Sequence, residues 1–378
     1  MPISGKLIRY NRLNLVLFRA VFFLIVLGIV SEAAAQESIL KFNRKTSRNG
    51  LSQSFIRSIT SDKNGFIWIG TSDGLNKYDG YTFKIYLANA QQKGSLSTST
   101  VTYTYTDKQG TLYVATENGG LNVYNSSTDK FAIYKHNPKD PQSIANNRVT
   151  TIFEDSKGIL WIALEDKGLQ IFDRKTSRFK NGFTAAAEGK GLVNNYVRAI
   201  AEDKKGQLWV GTDNGISVIS RDRRTFKNYF QTNSPNSLST NVIRSIFADS
   251  QGDIWIGTAF GGLNLYDKNN DNFIQFRHNS NSNSLLGDYV PSICESKDGQ
   301  IWVATNWGMS VYNKKTKTFS NHVNNPFDIN SLIDNGLNTV YADQEGNIWI
   351  GSIAGLSIKE AIDSKFPNYA NIPGQSNS

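Results

Sequence analysis

The 378 residues predict an all-β fold, a seven-bladed β-propeller of four-stranded blades closed by an N-terminal outer strand, and three observations carry that reading. A turn glycine followed three residues later by an aromatic returns seven times, at Gly65, Gly110, Gly158, Gly206, Gly252, Gly299 and Gly346, with intervals of 45, 48, 48, 46, 47 and 47 residues. A second landmark, Leu51, Leu96, Ile144, Leu192, Leu238, Leu285 and Leu332, keeps the same intervals. Aromatic residues make up 12% of the chain, a composition suited to strands. Repeats of about 40–50 residues with four strands each are blade-sized.

Each unit reads as strands a to d. Strand a is a short run such as Ile56-Arg-Ser-Ile59. An Asp-x-x-Gly turn follows, in which Asp can accept bonds from its own backbone and Gly tolerates a positive φ. Strand b, Phe66 to Gly70, is apolar on both faces, as expected of a strand sandwiched between packed sheets. A Gly-containing turn leads to strand c, Leu75 to Tyr78, and the outer strand d carries Phe-x-x-aromatic, as in Phe83 with Tyr86. A polar loop then returns to the next strand a. Six of the seven tryptophans hold one position on strand b, with Tyr113 replacing Trp in the second copy, so these rings are expected to be inter-blade core.

The seventh copy ends its strand c near Leu356-Ser-Ile358, and an unpaired apolar segment, Ile39-Leu-Lys-Phe42, precedes the first copy. Residues 38 to 45 are therefore expected to supply strand d of the last blade, within a propeller spanning 36–362. Residues 363–378, with Lys365-Phe366-Pro-Asn-Tyr369, repeat a strand-d and loop pattern and resemble the start of a further propeller; the alternative is a plain polar tail.

Residues 1–35 read as a signal peptide. Lys6, Arg9, Arg12 and Arg19 lead into an apolar run from Ala20 to Val30, followed by Ala33-Ala34-Ala35 and an expected cleavage before Gln36. Eleven residues rise about 16 Å as a helix, half of a bilayer core, which argues against the alternative of an uncleaved anchor. Export predicts a periplasmic location. Removing four positive charges and Glu32 lowers the formal charge from +9 to +6, a mildly basic surface for which nucleic acid is not the expected partner.

Catalytic and metal chemistry have little footing. Cys294 is the only cysteine and falls where other copies carry Phe153, Phe247 or Tyr341. His136, His278 and His322 fall on or just after strands d, which spreads them round the outer circumference and prevents a histidine-centred triad or metal site. Glu165 and Asp166 are adjacent in a turn, where solvated carboxylates are the ordinary case. No cofactor, metal or enzyme activity is expected.

The string Asn49-Gly-Leu-Ser52, then Ile59, Asp62-x-x-Gly65, Ile67-Trp-Ile-Gly-Thr71 and Gly74-Leu75-x-x-Tyr78-Asp79, resembles the two-component regulator propeller repeat, through seven copies across residues 38 to 378. The resemblance implies the periplasmic sensor region of a Bacteroidetes hybrid two-component system, recognising oligosaccharides and relaying binding to a histidine kinase. Family members carry a second propeller, an immunoglobulin-like domain, a membrane helix and kinase modules. Those are not legible in this sequence, so a histidine kinase or second propeller is expected as a partner, and the membrane is reached only through that partner.

Loops from d to a and from b to c emerge on one face, and strand a opens at the central channel on that face. Its second residue is Arg57, Thr102, Thr150, Arg198, Arg244, Pro291 or Asn338 in the seven copies. Phe55, Arg148, Tyr196 and Tyr289 stand just before the strand, and the b-to-c loops carry Asp73, Glu117, Asp166, Asp213, Phe260 and Trp307. Aromatic rings beside arginines suit sugar rings bearing carboxylate or sulfate groups. Arg57, Arg198, Arg244, Tyr196, Tyr289, Phe260 and Trp307 are the expected oligosaccharide-binding rim; the alternative is that the arginines simply pair with neighbouring carboxylates. A ligand-sensing module is the first functional reading, and a free-standing periplasmic protein-interaction scaffold is the second.

Overall fold

The computed structural model describes residues 40–361, Glu188 apart. The signal-peptide and tail expectations lie outside the described residues.

Twenty-eight strands form seven four-stranded antiparallel sheets. The first blade is typical: strand a Ile56–Ser61, b Ile67–Thr71, c Gly74–Tyr78 and d Phe83–Tyr86, hydrogen-bonded in that order. Every strand a packs against strand a of both neighbouring blades, and that of the seventh, Leu337–Ala342, packs against Ile56–Ser61, so the ring is closed. All seven b strands are buried along their whole length.

The turn before strand b explains the recurring Asp and Trp. Asp62 Oδ1 accepts the backbone N–H groups of Asn64 and Phe66, while Oδ2 accepts the Trp68 indole N–H at 2.9 Å. Gly65 closes the turn at φ 83°. The same carboxylate-to-indole bond joins Asp155 to Trp161, Asp203 to Trp209, Asp249 to Trp255 and Asp343 to Trp349, and Tyr113 donates its hydroxyl to Asp107. Blade six has Ser296 in place of Asp, and no such bond reaches Trp302. All six framework tryptophans are buried. Four of the rings meet the strand-c aromatic of the next blade: Trp68 with Tyr124 at 4.9 Å, Trp209 with Tyr266 at 4.7 Å, Trp255 with Tyr312 at 5.3 Å, and, across the closure, Trp349 with Tyr78 at 5.9 Å.

The small residue after the Trp-Ile or Trp-Val pair has a steric cause. A Cβ on Gly351 would lie 2.5 Å from Ile56 Cγ2, the first residue of the neighbouring strand a. Blades pack too closely there for anything larger than the Gly or Ala the repeat supplies.

Ring closure falls within residues 38–45. The pairing residues are Asn43, Arg44 and Lys45, opposite Ile358, Ser357 and Leu356. Phe42, just before the ladder, has a buried ring and an N–H that bonds to Asn330 O at 2.7 Å. Phe42 thereby stands where Phe131, Phe179, Phe273 and Phe319 stand in other blades, buried and with its N–H bonded back to the preceding d-to-a loop. Arg44 then fastens the closing strand to the preceding loop, donating to Ser331 O, Asp328 O, Ser331 Oγ and Leu332 O at 2.7–3.0 Å.

Candidate functional site

Strand a opens with an irregularity in six of the seven blades. The register with strand b shifts between Ile56 and Ser58, Val101 and Tyr103, Val149 and Thr151, Val197 and Ala199, Ile243 and Ser245, and Leu337 and Thr339. The residue left unpaired is the second of the strand: Arg57, Thr102, Thr150, Arg198, Arg244 and Asn338. In blade six the position is Pro291, which has no N–H to pair, and the strand starts at Ser292. A bulge bends the strand and re-aims the extra side chain. This repeated bulge turns one position per blade towards the channel mouth.

Five of those bulge residues, Arg57, Thr102, Thr150, Arg198 and Arg244, line one cavity of about 320 Å³, together with Arg148, Glu117 and Glu165. A second cavity, of about 500 Å³, continues between the inner strands and shares Arg198 and Arg244. Thr150 and Thr102 turn their hydroxyls to the carbonyls of Val197 and Val149 in the next blades, at 2.6 and 3.5 Å, and Asn338 does the same to Ile56 O at 3.0 Å. These three serve the ring, whereas the arginines face the cavity.

The charges are unevenly paired. Arg198 grips Asp213 with two bonds, Nε to Oδ1 at 3.0 Å and Nη2 to Oδ2 at 2.7 Å, which raises the Arg198 pKa above its ordinary value. Arg244 Nη1 reaches the same carboxylate at 3.5 Å, and its Nε is buried with no hydrogen-bond partner. Arg148 pairs with Glu165 at 2.5 Å. Arg57 bonds only to a neutral hydroxyl, Ser72 Oγ, at 2.9 Å. Two rings support the guanidiniums: Arg57 lies 5.0 Å from the Phe55 centroid and Arg198 lies 5.9 Å from that of Tyr196.

Of the expected rim, the structure gathers Arg57, Arg198 and Arg244 on one cavity, with Tyr196, 41% exposed, beside it. Phe260 and Trp307 lie outside both cavities, on the b-to-c loops of blades five and six, 74% and 65% exposed. Tyr289 is half-buried and lines neither cavity. Ile353, half exposed, occupies the equivalent loop of blade seven and was not singled out from sequence. The b-to-c loops thus divide: Asp73, Glu117, Asp166 and Asp213 on blades one to four, and Phe260, Trp307 and Ile353 on blades five to seven. Arg148 and Glu165 also belong to the cavity; their repeat positions, just before strand a and in the b-to-c loop, were the available signal.

The histidines are structural where their bonds are defined. His136 Nδ1 meets Ile144 O at 2.8 Å, and His278 Nδ1 meets Leu285 O at 3.1 Å, each stapling a d-to-a loop. Burial pushes the Cys294 thiol up, which leaves it a core group rather than a nucleophile. Among the described residues no group of three or more His, Cys, Asp or Glu is placed to hold a metal ion.

Comparison with known proteins agrees with the geometry. The family described as "Two component regulator propeller" matches at residues 50–73, 143–166, 191–214, 237–260, 284–307 and 331–354. The extracellular domain of the putative hybrid two component system BT3049 from B. thetaiotaomicron is 29% identical, with a TM-score of 0.73 over 85% of this chain and 42% of that one. The corresponding domain of BT4673 from the same organism, 24% identical with a TM-score of 0.69, covers 85% of this chain and 40% of that one, and shares the fold. A 63-residue stretch is 51% identical to "Histidine kinase P4" of Formosa agariphila, spanning 17% of this chain and 5% of the kinase. The chain thus spans about two fifths of the solved sensor domains it matches.

The closed ring of four-stranded blades is the fold that this chain shares with those extracellular domains of hybrid two component systems. Six of its seven blades thus match the two-component regulator propeller repeat, and the chain is similar to the extracellular domains of hybrid two-component systems of B. thetaiotaomicron.

Proposed function

We propose that this propeller is the periplasmic ligand-sensing part of a two-component regulatory system and that it recognises oligosaccharides at the bulge-lined mouth of its channel. The observation that carries the reading is the convergence of five bulge residues on one cavity, three of them arginines, beside an aromatic rim. Guanidiniums offer forked donors to sugar hydroxyls and acids, and flat rings offer a face to pyranose C–H groups. Residues 1–35 act as the export signal, and the sequence of residues 363–378 resembles the start of a further propeller. A histidine kinase reads the bound state.

A glycan array followed by calorimetry on the purified protein tests this. Trp307→Ala and Arg198→Ala should each weaken a bound oligosaccharide by roughly tenfold or more, as expected for loss of a stacking or charged contact. Unchanged affinity in both variants would remove the rim as the site.

A protein-docking scaffold is the second reading, favoured by Phe327 and Ile329. These are 97% and 76% exposed on the turn that Arg44 fastens beside the closing strand. Loss of partner capture on Phe327→Ser, with glycan binding absent, would favour it over sensing.

A further inference from the structure

The cavity holds more cationic than anionic groups, and the excess is localised. Four guanidiniums, Arg57, Arg148, Arg198 and Arg244, stand among three carboxylates, of which Glu165 and Asp213 pair with arginines and Glu117 with none. Arg148 is satisfied by Glu165, and Arg198 takes both oxygens of Asp213. Arg244 is left with one long bond to an oxygen that Arg198 already uses, and with a buried, unpartnered Nε. Arg57 spends its Nε on Ser72 and has no carboxylate. Arg57 and Arg244 are thus the two guanidiniums of the cavity without a carboxylate of their own, and an acidic acceptor from outside would serve both.

Position adds direction. Arg57 is in blade one and Arg244 in blade five, while Phe260 and Trp307 lie on the outer loops of blades five and six. Arg244 therefore belongs both to the cavity and to the blade that begins the apolar arc.

Resting on the oligosaccharide reading above, we infer that Arg244 and Arg57 form an acid-group subsite that takes a carboxylate or sulfate of an anionic saccharide, with the neighbouring sugar rings lying out over Phe260 and Trp307. The acid enters the cavity mouth, meets the accessible part of the Arg244 guanidinium, and gives Arg57 its counter-charge. Asp213 keeps Arg198, which leaves the acid to Arg244 and Arg57 and leaves Arg198 to the hydroxyls of the adjoining sugar.

The test uses matched pairs that differ only in charge: tetragalacturonate against its methyl ester for carboxylate, and a κ-carrageenan tetrasaccharide against its desulfated form for sulfate. These are measured by calorimetry on the purified full chain, beside an array of neutral oligosaccharides. The acidic member of one pair should bind roughly ten- to hundred-fold more tightly than its neutral twin, the range of one or two charge-assisted bonds. Arg244→Gln and Arg57→Gln should each narrow that gap, whereas Trp307→Ala should weaken both twins alike. Arg57 is exposed, so its variant reports even if Arg244→Gln folds poorly. Equal binding of acidic and neutral twins, or a gap that both glutamine variants leave intact, overturns the subsite and leaves oligosaccharide sensing standing. Absence of binding by every acidic and neutral sugar overturns both.

Discussion

Arg198 and Arg244, from adjacent blades, hold the same carboxylate: Asp213 Oδ2 lies 2.7 Å from Arg198 Nη2 and Asp213 Oδ1 lies 3.5 Å from Arg244 Nη1. Asp213 thus ties blades four and five together at the channel mouth and sets the charge of the cavity. Asp213→Asn should lower unfolding free energy by about 1 kcal/mol, the upper range for a solvent-accessible pair, and Arg57→Ala should change it by less than about 0.5 kcal/mol. Urea denaturation of the two variants checks the contrast; equal losses would contradict it.

The framework indoles are not equivalent. Trp161 donates to a fully buried Asp155 that also accepts from Arg223 Nη2 at 2.8 Å, whereas Trp302 has no carboxylate acceptor. Trp161→Phe should therefore cost about 1–3 kcal/mol more than Trp302→Phe, the desolvation cost of an acceptor left short of a donor. Paired chemical denaturation curves measure this difference directly. Trp→Ala at either site should cost about 3–5 kcal/mol.

Acid should loosen the ring in a defined window. At Asp129 and Asp271 partial burial pushes the carboxyls up, but donation from Lys84, Tyr86 and Tyr124 to the first, and from Lys227, Tyr229 and Tyr266 to the second, outweighs it and holds both at about 2. At Asp155 and Asp249 burial also acts upward and is overcome, by Trp161 and Arg223 at one and by Lys314 and Trp255 at the other, so both stay below the ordinary value. A depressed carboxyl contributes stability that is complete above its unfolded pKa, near 4, and is lost as pH falls through its folded pKa. Thermal midpoints should hold down to about pH 4 and fall between there and about pH 2. Asp129→Asn should flatten that fall; a midpoint rising on acidification would contradict the sign.

Closure rests on a short ladder and one side chain. Arg44 makes four bonds to the loop before the last blade, and only three residues pair with the outer strand. Arg44→Ala should cost about 2 kcal/mol, as three carbonyls and a hydroxyl lose a charged donor. Hydrogen exchange should show the loss first at 356–359, the partner strand. Uniform deprotection of all blades would mean that closure is not the weak joint.

Sequence alone determined the architecture because the repeat records it twice. Apolar b strands, turn aspartates and wedge aromatics recur in step, and each is required locally: Asp62 to cap its own turn and bind Trp68, Gly351 to admit Ile56. Position on the rim was also legible, since repeat alignment singled out Arg57, Arg198 and Arg244. What tertiary structure alone decided is how those positions act. The bulge that turns them inward is a register shift between strands, invisible in a single strand's composition. The sharing of Asp213, the gap at Arg244 Nε and the separation of Phe260 and Trp307 from the cavity all depend on which blades stand side by side. The closing strand shows the same division: its existence followed from an unpaired segment, and its register, Asn43 to Lys45 against Ile358 to Leu356, is visible only once that segment lies against the seventh blade.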